Sequence, residues 1–145
     1  MSKALLPLRR AGQWMVVEAE QVQDILGVVT WVPIPGAPSA LPGVLPWRGR
    51  AIAVLDVGAA TGAFAALAAN APAARNVVVH AANVTVAIPV EAVQEVQQVS
   101  DDAVTPRQLT TMQHCSREVQ VQGVPMPLLD LGALLSSLVG RGEGA

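Results

Sequence analysis

The chain has 145 residues, of which 52% are hydrophobic and 14% charged, and its 9 Lys plus Arg against 11 Asp plus Glu give a net charge of −2. A chain of this length forms one domain, or two small lobes sharing a core, and buries roughly 70% of its unfolded surface without staples. The absence of any basic cluster argues against nucleic-acid binding, and the single cysteine, Cys115, excludes an internal disulfide.

With one Phe, no Tyr and three Trp, the core falls to valine, alanine and leucine, a composition that packs well in sheets. The first ten residues lack the apolar core and small-residue cleavage site of a signal peptide, so the expected location is cytoplasmic. Residues 51–74 are apolar enough to raise the question of a membrane span. Asp56, Gly58, Thr61, Gly62, Asn70 and Pro72 interrupt them, and a central charge costs roughly 3 kcal/mol on insertion, so direct membrane insertion is not expected.

In chain order, residues 5–8 read as a short first strand leading through Arg9 and Arg10 to a turn at Gly12. From Met15, the alternation of Met15, Val17 and Ala19 with Val16, Glu18 and Glu20 predicts a half-buried strand. Residues 21–26 read as a bend. Residues 28–43 carry Pro33, Pro35, Pro38 and Pro42, which forbid a helix or a central strand and predict a stiff surface loop. Residues 46–50 then form a turn, and 51–55 a strand ending in the acid Asp56. Arg48 and Arg50 flank Gly49 there, and a guanidinium held at a tight turn suits recognition of a carboxylate on a partner.

Helix propensity is high over 63–69, bounded by Gly62 and Pro72, which predicts a short helix or ordered loop joining two lobes. Residues 77–80 and 84–90 read as strands around a turn at Ala82 and Asn83, with Pro89 placing the second at an edge or bulge. A bend over 93–99 and a polar loop over 100–110 follow. Residues 119–121 and 124–128 form a hairpin about Gly123, and 129–139 a terminal helix with Leu131, Leu134, Leu135 and Leu138 on one face. Residues 140–145 are expected to be a disordered tail to a single domain over 1–139. The scarcity of charge between Asp56 and Glu91 predicts an exposed apolar patch in that stretch.

The two halves match each other. Residues 15–25, MVVEAEQVQDI, align without a gap to 86–96, VAIPVEAVQEV, and 55–60, LDVGAA, to 129–134, LDLGAL. Two copies of about 70 residues, each marginal alone, are expected to share apolar surface. The lobes are expected at roughly 15–75 and 76–139, with Asp56 and Asp130 each closing its own.

Candidate chemistry is sparse. Cys115 as a nucleophile with His114 or His80 as base is the enzyme alternative, but neighbours in a strand point to opposite faces, so His114 serves Cys115 poorly. Two histidines and one cysteine without paired spacing make a poor metal site, and no Lys with Ser or Thr follows Gly58 or Gly62 to form a phosphate loop.

The Val-Gln-acid-Ile run at 22–25, the proline-rich loop, Pro42-Gly43-Val44, Arg48-Gly49 and the strand closing in Leu55-Asp56 come in an order that resembles the CheW domain. The valine-rich 84–96 and the ending VQGVPMPLLDLGALL extend the resemblance over roughly residues 5–138. It implies an all-β fold of two five-stranded SH3-like β-barrel lobes with short helices. It also implies a non-catalytic, cofactor-free adaptor that couples a chemoreceptor's cytoplasmic tip to the regulatory domain of the histidine kinase CheA. By position, Arg48 and Gly49 fall on the Arg-Gly of the family's Asn-Leu-Arg-Gly motif, at the surface that engages the receptor. Val22, Asp24 and Gly43 fall on other positions linked to receptor or kinase contact, and Ile25 in the apolar part of the first lobe. Pro46-Trp47 replaces Asn-Leu, and Asp24 replaces the usual glutamate. The proline removes a backbone donor and Trp47 enlarges the contact, so a specialised member that binds only receptor or only kinase is the alternative.

Overall fold

The computed structural model describes residues 2–62, 67, 73–106 and 113–143, with side chains as far as 138. β1 (Ser2–Arg10) and β2 (Gln13–Glu18) form a hairpin, and a 3-10 turn at Ala19–Gln21 leads to β3 (Val22–Leu26) and the two-residue β4 (Val32–Pro33). β5 (Gly43–Trp47) and β6 (Arg50–Val54) make a second hairpin, followed by α1 (Val57–Thr61). β7 (Arg75–Ala81) and β8 (Val84–Val90) make a third, followed by β9 (Ala92–Val93), β10 (Gln97–Ser100) and β11 (Val104–Pro106). The last hairpin, β12 (Arg117–Val121) and β13 (Val124–Leu128), runs into α2 (Leu131–Glu143).

All four hairpins turn in two residues with positive φ at both: Ala11 and Gly12 at 53° and 77°, Arg48 and Gly49 at 49° and 77°, Ala82 and Asn83 at 52° and 61°, Gln122 and Gly123 at 51° and 81°. That is the type I′ turn, whose twist matches that of the strands it joins. It narrows the expected turn over 46–50 to Arg48 and Gly49, with Trp47 and Arg50 paired across the strand ends.

The strands build two sheets, one in the order β10-β1-β2-β13-β12-β11 with β9 also on β1, the other in the order β3-β7-β8-β6-β5-β4. The repeat seen in the sequence governs both. Aligning Met15 with Val86 carries the Val22↔Val79 pairing onto Val93↔Leu8 and the Leu26↔Asn76 pairing onto Gln97↔Leu5. In each copy five residues of one strand face four of the other, so the β-bulge after Val22 has its counterpart between β9 and β10. Leu55 N–H donates to Ala87 O at 2.8 Å, and its repeat equivalent, Leu129 N–H, donates to Val16 O at 2.9 Å.

These pairings cross between the copies. β3 of the first completes the hairpin of the second, and β9 and β10 of the second complete the hairpin of the first. The strands of one sheet run from β3 to β8 and those of the other are β1, β2 and β9 to β13, so the sheets do not divide near residue 75 as expected. Repeat detection shows where a copy starts but not which hairpin the strand after its first hairpin joins.

The core explains the crossing. Leu6, Leu8, Met15 and Val17 from one sheet meet Val77, Val79, Val86 and Ile88 from the other, with Leu55, Leu129, Leu131 and Leu134 added. The alternate residues face inward on their own sheet. Leu5, Val16, Val119, Val121, Met126 and Leu128 form one inner cluster; Trp31, Leu45, Trp47, Ile52, Val54, Val78 and Ala87 form the other. Neither copy covers its strands alone, in keeping with the shared apolar surface expected of so short a unit.

Several local expectations change. Met15, Val16 and Val17 are all buried, so β2 is covered on both faces rather than half-buried. The bend lies at Ala19–Gln21, and the segment expected to bend is strand β3. Trp31 and Ala40 are buried within the proline-rich segment, where β4 pairs β5 at the sheet edge that Pro33 tolerates. Pro89 sits past the Val86 and Ala87 positions that β6 pairs, so β8 is interior at its middle and flanked by β7 at Pro89. α2 runs on through Gly140 and Gly142 to Glu143, since glycine weakens a helix without forbidding it. The helix expected over 63–69 lies, apart from Leu67, outside the described residues; α1 precedes it. Val57, Val77, Val78, Val79, Val86 and Val90 enter the core, so the described part of 56–91 supplies no exposed apolar patch.

Candidate partner-binding site

In β5 the alternating pleat turns Gly43, Leu45 and Trp47 inward and Pro46 outward. Trp47 is 8% exposed and packs with Leu45 and Ile52, occupying in its cluster the place that Val121 holds in the other. An indole is longer than an isopropyl group, and its polar edge reaches the rim. There Trp47 Nε1 donates to Asp24 Oδ2 at 3.1 Å, and Ile25 N–H donates to Asp24 Oδ1 at 2.9 Å. The bulge between Val22 and Asp24 sets β3 out of step at this point, the kind of irregularity that re-aims a side chain. Arg48, in the turn, is the exposed member, with Nη2 at 3.9 Å from Asp24 Oδ2 and its guanidinium carbon 4.8 Å from the Trp47 ring centre. The Arg50 guanidinium carbon lies 5.3 Å from the same ring.

The Trp47 N–H holds the Asp24 carboxyl below its ordinary value of 3.8, helped by the Ile25 N–H and the Arg48 charge and opposed by partial desolvation. A carboxylate whose folded pKa is depressed contributes stability above the unfolded value and loses it as pH falls through the folded value. Asp24→Asn is therefore expected to be less stable than wild type at neutral pH, with the gap closing below pH 3.8. Urea midpoints measured from pH 6 down to acid check this; a gap independent of pH overturns it.

The tip thus brings together four residues singled out in the sequence, Asp24, Trp47, Arg48 and the exposed Gly49. Ile25 adjoins them with 41% of its surface exposed. Val22 points instead toward the central cluster, half-buried. Gly43 is buried beneath Trp31 and the β4 backbone. Sequence reasoning missed the exposed aliphatics Ile25, Val28, Val32 and Ile34 on the chain that leads to the tip. An open groove of ≈ 290 Å³ adjoins it, lined by Val32, Val44, Pro46, Gly49, Arg50 and Ala51. The available signal was apolar residues interleaved with prolines, which cannot be drawn into a helix or a central strand.

Cys115 is fully buried among the core leucines, in irregular chain after a turn at His114. His80 is exposed and its Nδ1 lies 2.7 Å from Thr85 Oγ1 across the β7–β8 hairpin. A thiol in apolar surroundings is held from the solvent contact that reactivity needs. Cys115→Ala is expected to lower stability by about 1 kcal/mol, as a small core truncation does, and to leave partner binding in place. Loss of binding in a folded Cys115→Ala protein would contradict that. Among the described residues no three His, Cys, Asp or Glu side chains are grouped to hold a metal ion, and no helix is long and apolar enough to cross a membrane.

The fold is shared with the scaffolding protein TtCheW from Thermoanaerobacter tengcongensis, whose crystal structure superposes with a TM-score of 0.78 at 20% sequence identity, covering 92% of each chain. No curated protein sequence matches the chain. The CheW-like domain matches residues 5–139, spanning both hairpin sheets and the Arg48 tip. The chain belongs to the CheW-like domain family.

Proposed function

We propose that the protein is a non-catalytic adaptor that joins a chemoreceptor's cytoplasmic tip to the regulatory domain of the histidine kinase CheA, in the cytoplasm, as one domain over residues 1–139. The observation that carries this reading is the presence of two exposed features of different chemistry. One is the cationic hairpin tip, with Arg48 over the Trp47 ring; the other is the set of exposed aliphatics Ile25, Val28, Val32 and Ile34. A fixed guanidinium fork takes a receptor carboxylate, and exposed aliphatics take an apolar face of the kinase domain. Val22 anchors β3 to the central core, and Gly43 lets β4 lie against β5.

Calorimetric titration against a CheA regulatory domain and a receptor cytoplasmic fragment, with wild type and Arg48→Ala side by side, tests the reading. Arg48→Ala is expected to weaken the receptor arm by about 2 kcal/mol or more, as loss of an anchor residue does. The fold stability is expected to change by no more than about 0.5 kcal/mol and the kinase arm to stay unchanged. Binding to only one partner would establish the specialised adaptor that Pro46-Trp47 raises; binding to neither would sink the coupling role.

A further inference from the structure

We infer that Trp47 is a stacking platform that holds Arg48 and Arg50 as a paired guanidinium site for two carboxylates one helical turn apart on the partner. The inference rests on the hairpin tip being the receptor-binding surface. It adds a second arginine and the residue that positions both.

The repeat supplies an internal control. The equivalent hairpin reads Val121-Gln122-Gly123-Val124, with Glu95 in the place of Asp24, and its turn has the same backbone, Gln122 at φ 51° and Gly123 at 81°. The fold therefore requires neither an indole nor an arginine at this turn. The left-handed conformation does not single out Arg48 either, since Gln122 and Ala11 share it. What is peculiar to the first tip is the side-chain arrangement.

Trp47 and Arg50 are directly opposed across the hairpin, which puts Arg50 within reach of the indole, while Arg48 approaches the same ring from the turn. The indole is fixed at its other end by the 3.1 Å bond to Asp24 Oδ2. A guanidinium stacked by its face keeps its in-plane N–H donors directed outward, ready for bidentate contact with a carboxylate. Among the described residues Asp24 is the acid that pairs with Arg48; its Oδ2 already accepts the indole N–H and stands 3.9 Å from Arg48. Among the described residues Arg50 has no ion pair, and Arg48 and Arg50 are both exposed. The tip thus carries an excess positive charge, and the two guanidinium carbons, each near one ring centre, lie within about 10 Å of each other. Carboxylates three or four residues apart on a helix, with Cβ atoms about 5–6 Å apart and flexible stems, fall inside that limit. The fitting partner is an acidic helical surface, and a partner with an amide at either position is discriminated against.

The test uses the full chain and a receptor cytoplasmic fragment, with its tip glutamates either intact or replaced by glutamine, under calorimetric titration at two salt concentrations. Arg50→Ala is expected to weaken binding about 10-fold and to lower its salt dependence, as loss of a bidentate ion pair does. Arg50→Lys is expected to stay within about 2-fold of Arg50→Ala, because an ammonium neither stacks nor forks in the same way. In a Trp47→Leu background Arg50→Ala is expected to add less than about 2-fold, the non-additivity that marks action through a shared platform. Trp47→Phe keeps a ring and is expected to preserve the Arg50 effect, which secures the test if Trp47→Leu does not fold. The glutamine fragment is expected to bind wild type as weakly as the intact fragment binds Arg50→Ala. Arg50→Ala at wild-type affinity while Arg48→Ala is weakened overturns the paired site and leaves the proposed function standing. Additive Trp47→Leu and Arg50→Ala effects, or Arg50→Lys at wild-type affinity, overturn the platform. Wild-type affinity in both Arg48→Ala and Arg50→Ala overturns the inference and the receptor-surface reading together.

Discussion

Gly43→Ala is expected to lower stability by about 3 kcal/mol, in the upper range for overpacking a closed site, and the melting temperature by roughly 10 °C. A Cβ at this position would overlap the Val32 carbonyl oxygen and lie 2.6 Å from Trp31 Cε3 and 2.9 Å from Pro33 Cα. Two of these atoms are backbone, and the third belongs to an indole 2% exposed, so none moves aside cheaply. Relief requires β4 to separate from β5, taking Val32↔Val44 and Pro33↔Gly43 with it and loosening the cover over Trp31. Thermal melting followed by tryptophan fluorescence reads this directly, and a melting temperature within 2 °C of wild type, roughly 1 kcal/mol or less for a chain of this size, would falsify it. The same substitution separates two meanings of a partner-linked position. If Gly43 acts through the fold, receptor and kinase binding both fall in proportion to the unfolded fraction and return on cooling; a loss confined to one partner in the folded protein indicates direct contact.

Asp56→Ala is expected to destabilise by about 2–3 kcal/mol, and Asp130→Ala by about 1 kcal/mol, although the two aspartates hold equivalent places in the repeat. Each caps its helix: Ala59 N–H donates to Asp56 Oδ1 at 3.2 Å, and Ala133 N–H to Asp130 Oδ1 at 3.0 Å. Each is also tied by its own N–H to an equivalent carbonyl, Ala40 for Asp56 and His114 for Asp130. The difference lies in burial and in a second bond. Asp56 is 2% exposed and its Oδ2 accepts Leu67 N–H at 2.8 Å, whereas Asp130 is exposed. Truncating Asp56 leaves a half-buried donor unpaired in addition to removing the cap. Asp56→Asn, which retains one carbonyl acceptor, is expected to fall between wild type and Asp56→Ala. Parallel urea denaturation of the three variants gives the ranking, and equal losses at Asp56 and Asp130 would show that the second bond contributes nothing.

Much of this was legible in the residues. The alternation around Val84 and Val121, the glycines at three of the four turns and the aspartates before LGAL and VGAA are local signals. They act through neighbours two to four positions away. The repeat extended that reach, because two copies of one pattern imply two copies of one unit. Asp24, Trp47 and Arg48 were visible as separate residues, but their contact was not, since the Asp24–Trp47 bond spans 23 positions. Gly43 fell in the surface loop expected over 28–43 from the density of prolines. Its burial follows from Trp31 folding under β4, which proline density alone made look like an outer loop.

The sequence by itself determined that the chain is built of short apolar strands in two similar halves, and that an arginine sits at a tight turn in the first. The period of a strand states which side chains share a face, and a turn motif states where the chain reverses. Neither states which strand lies alongside. Only the tertiary structure decided that β3 joins the second hairpin while β9 and β10 join the first, because that exchange depends on the order of strands in the sheet and on the joint burial of both halves. With β3 placed there and its bulge after Val22, Asp24 meets the indole of Trp47, and the turn arginines acquire the surface on which they stack.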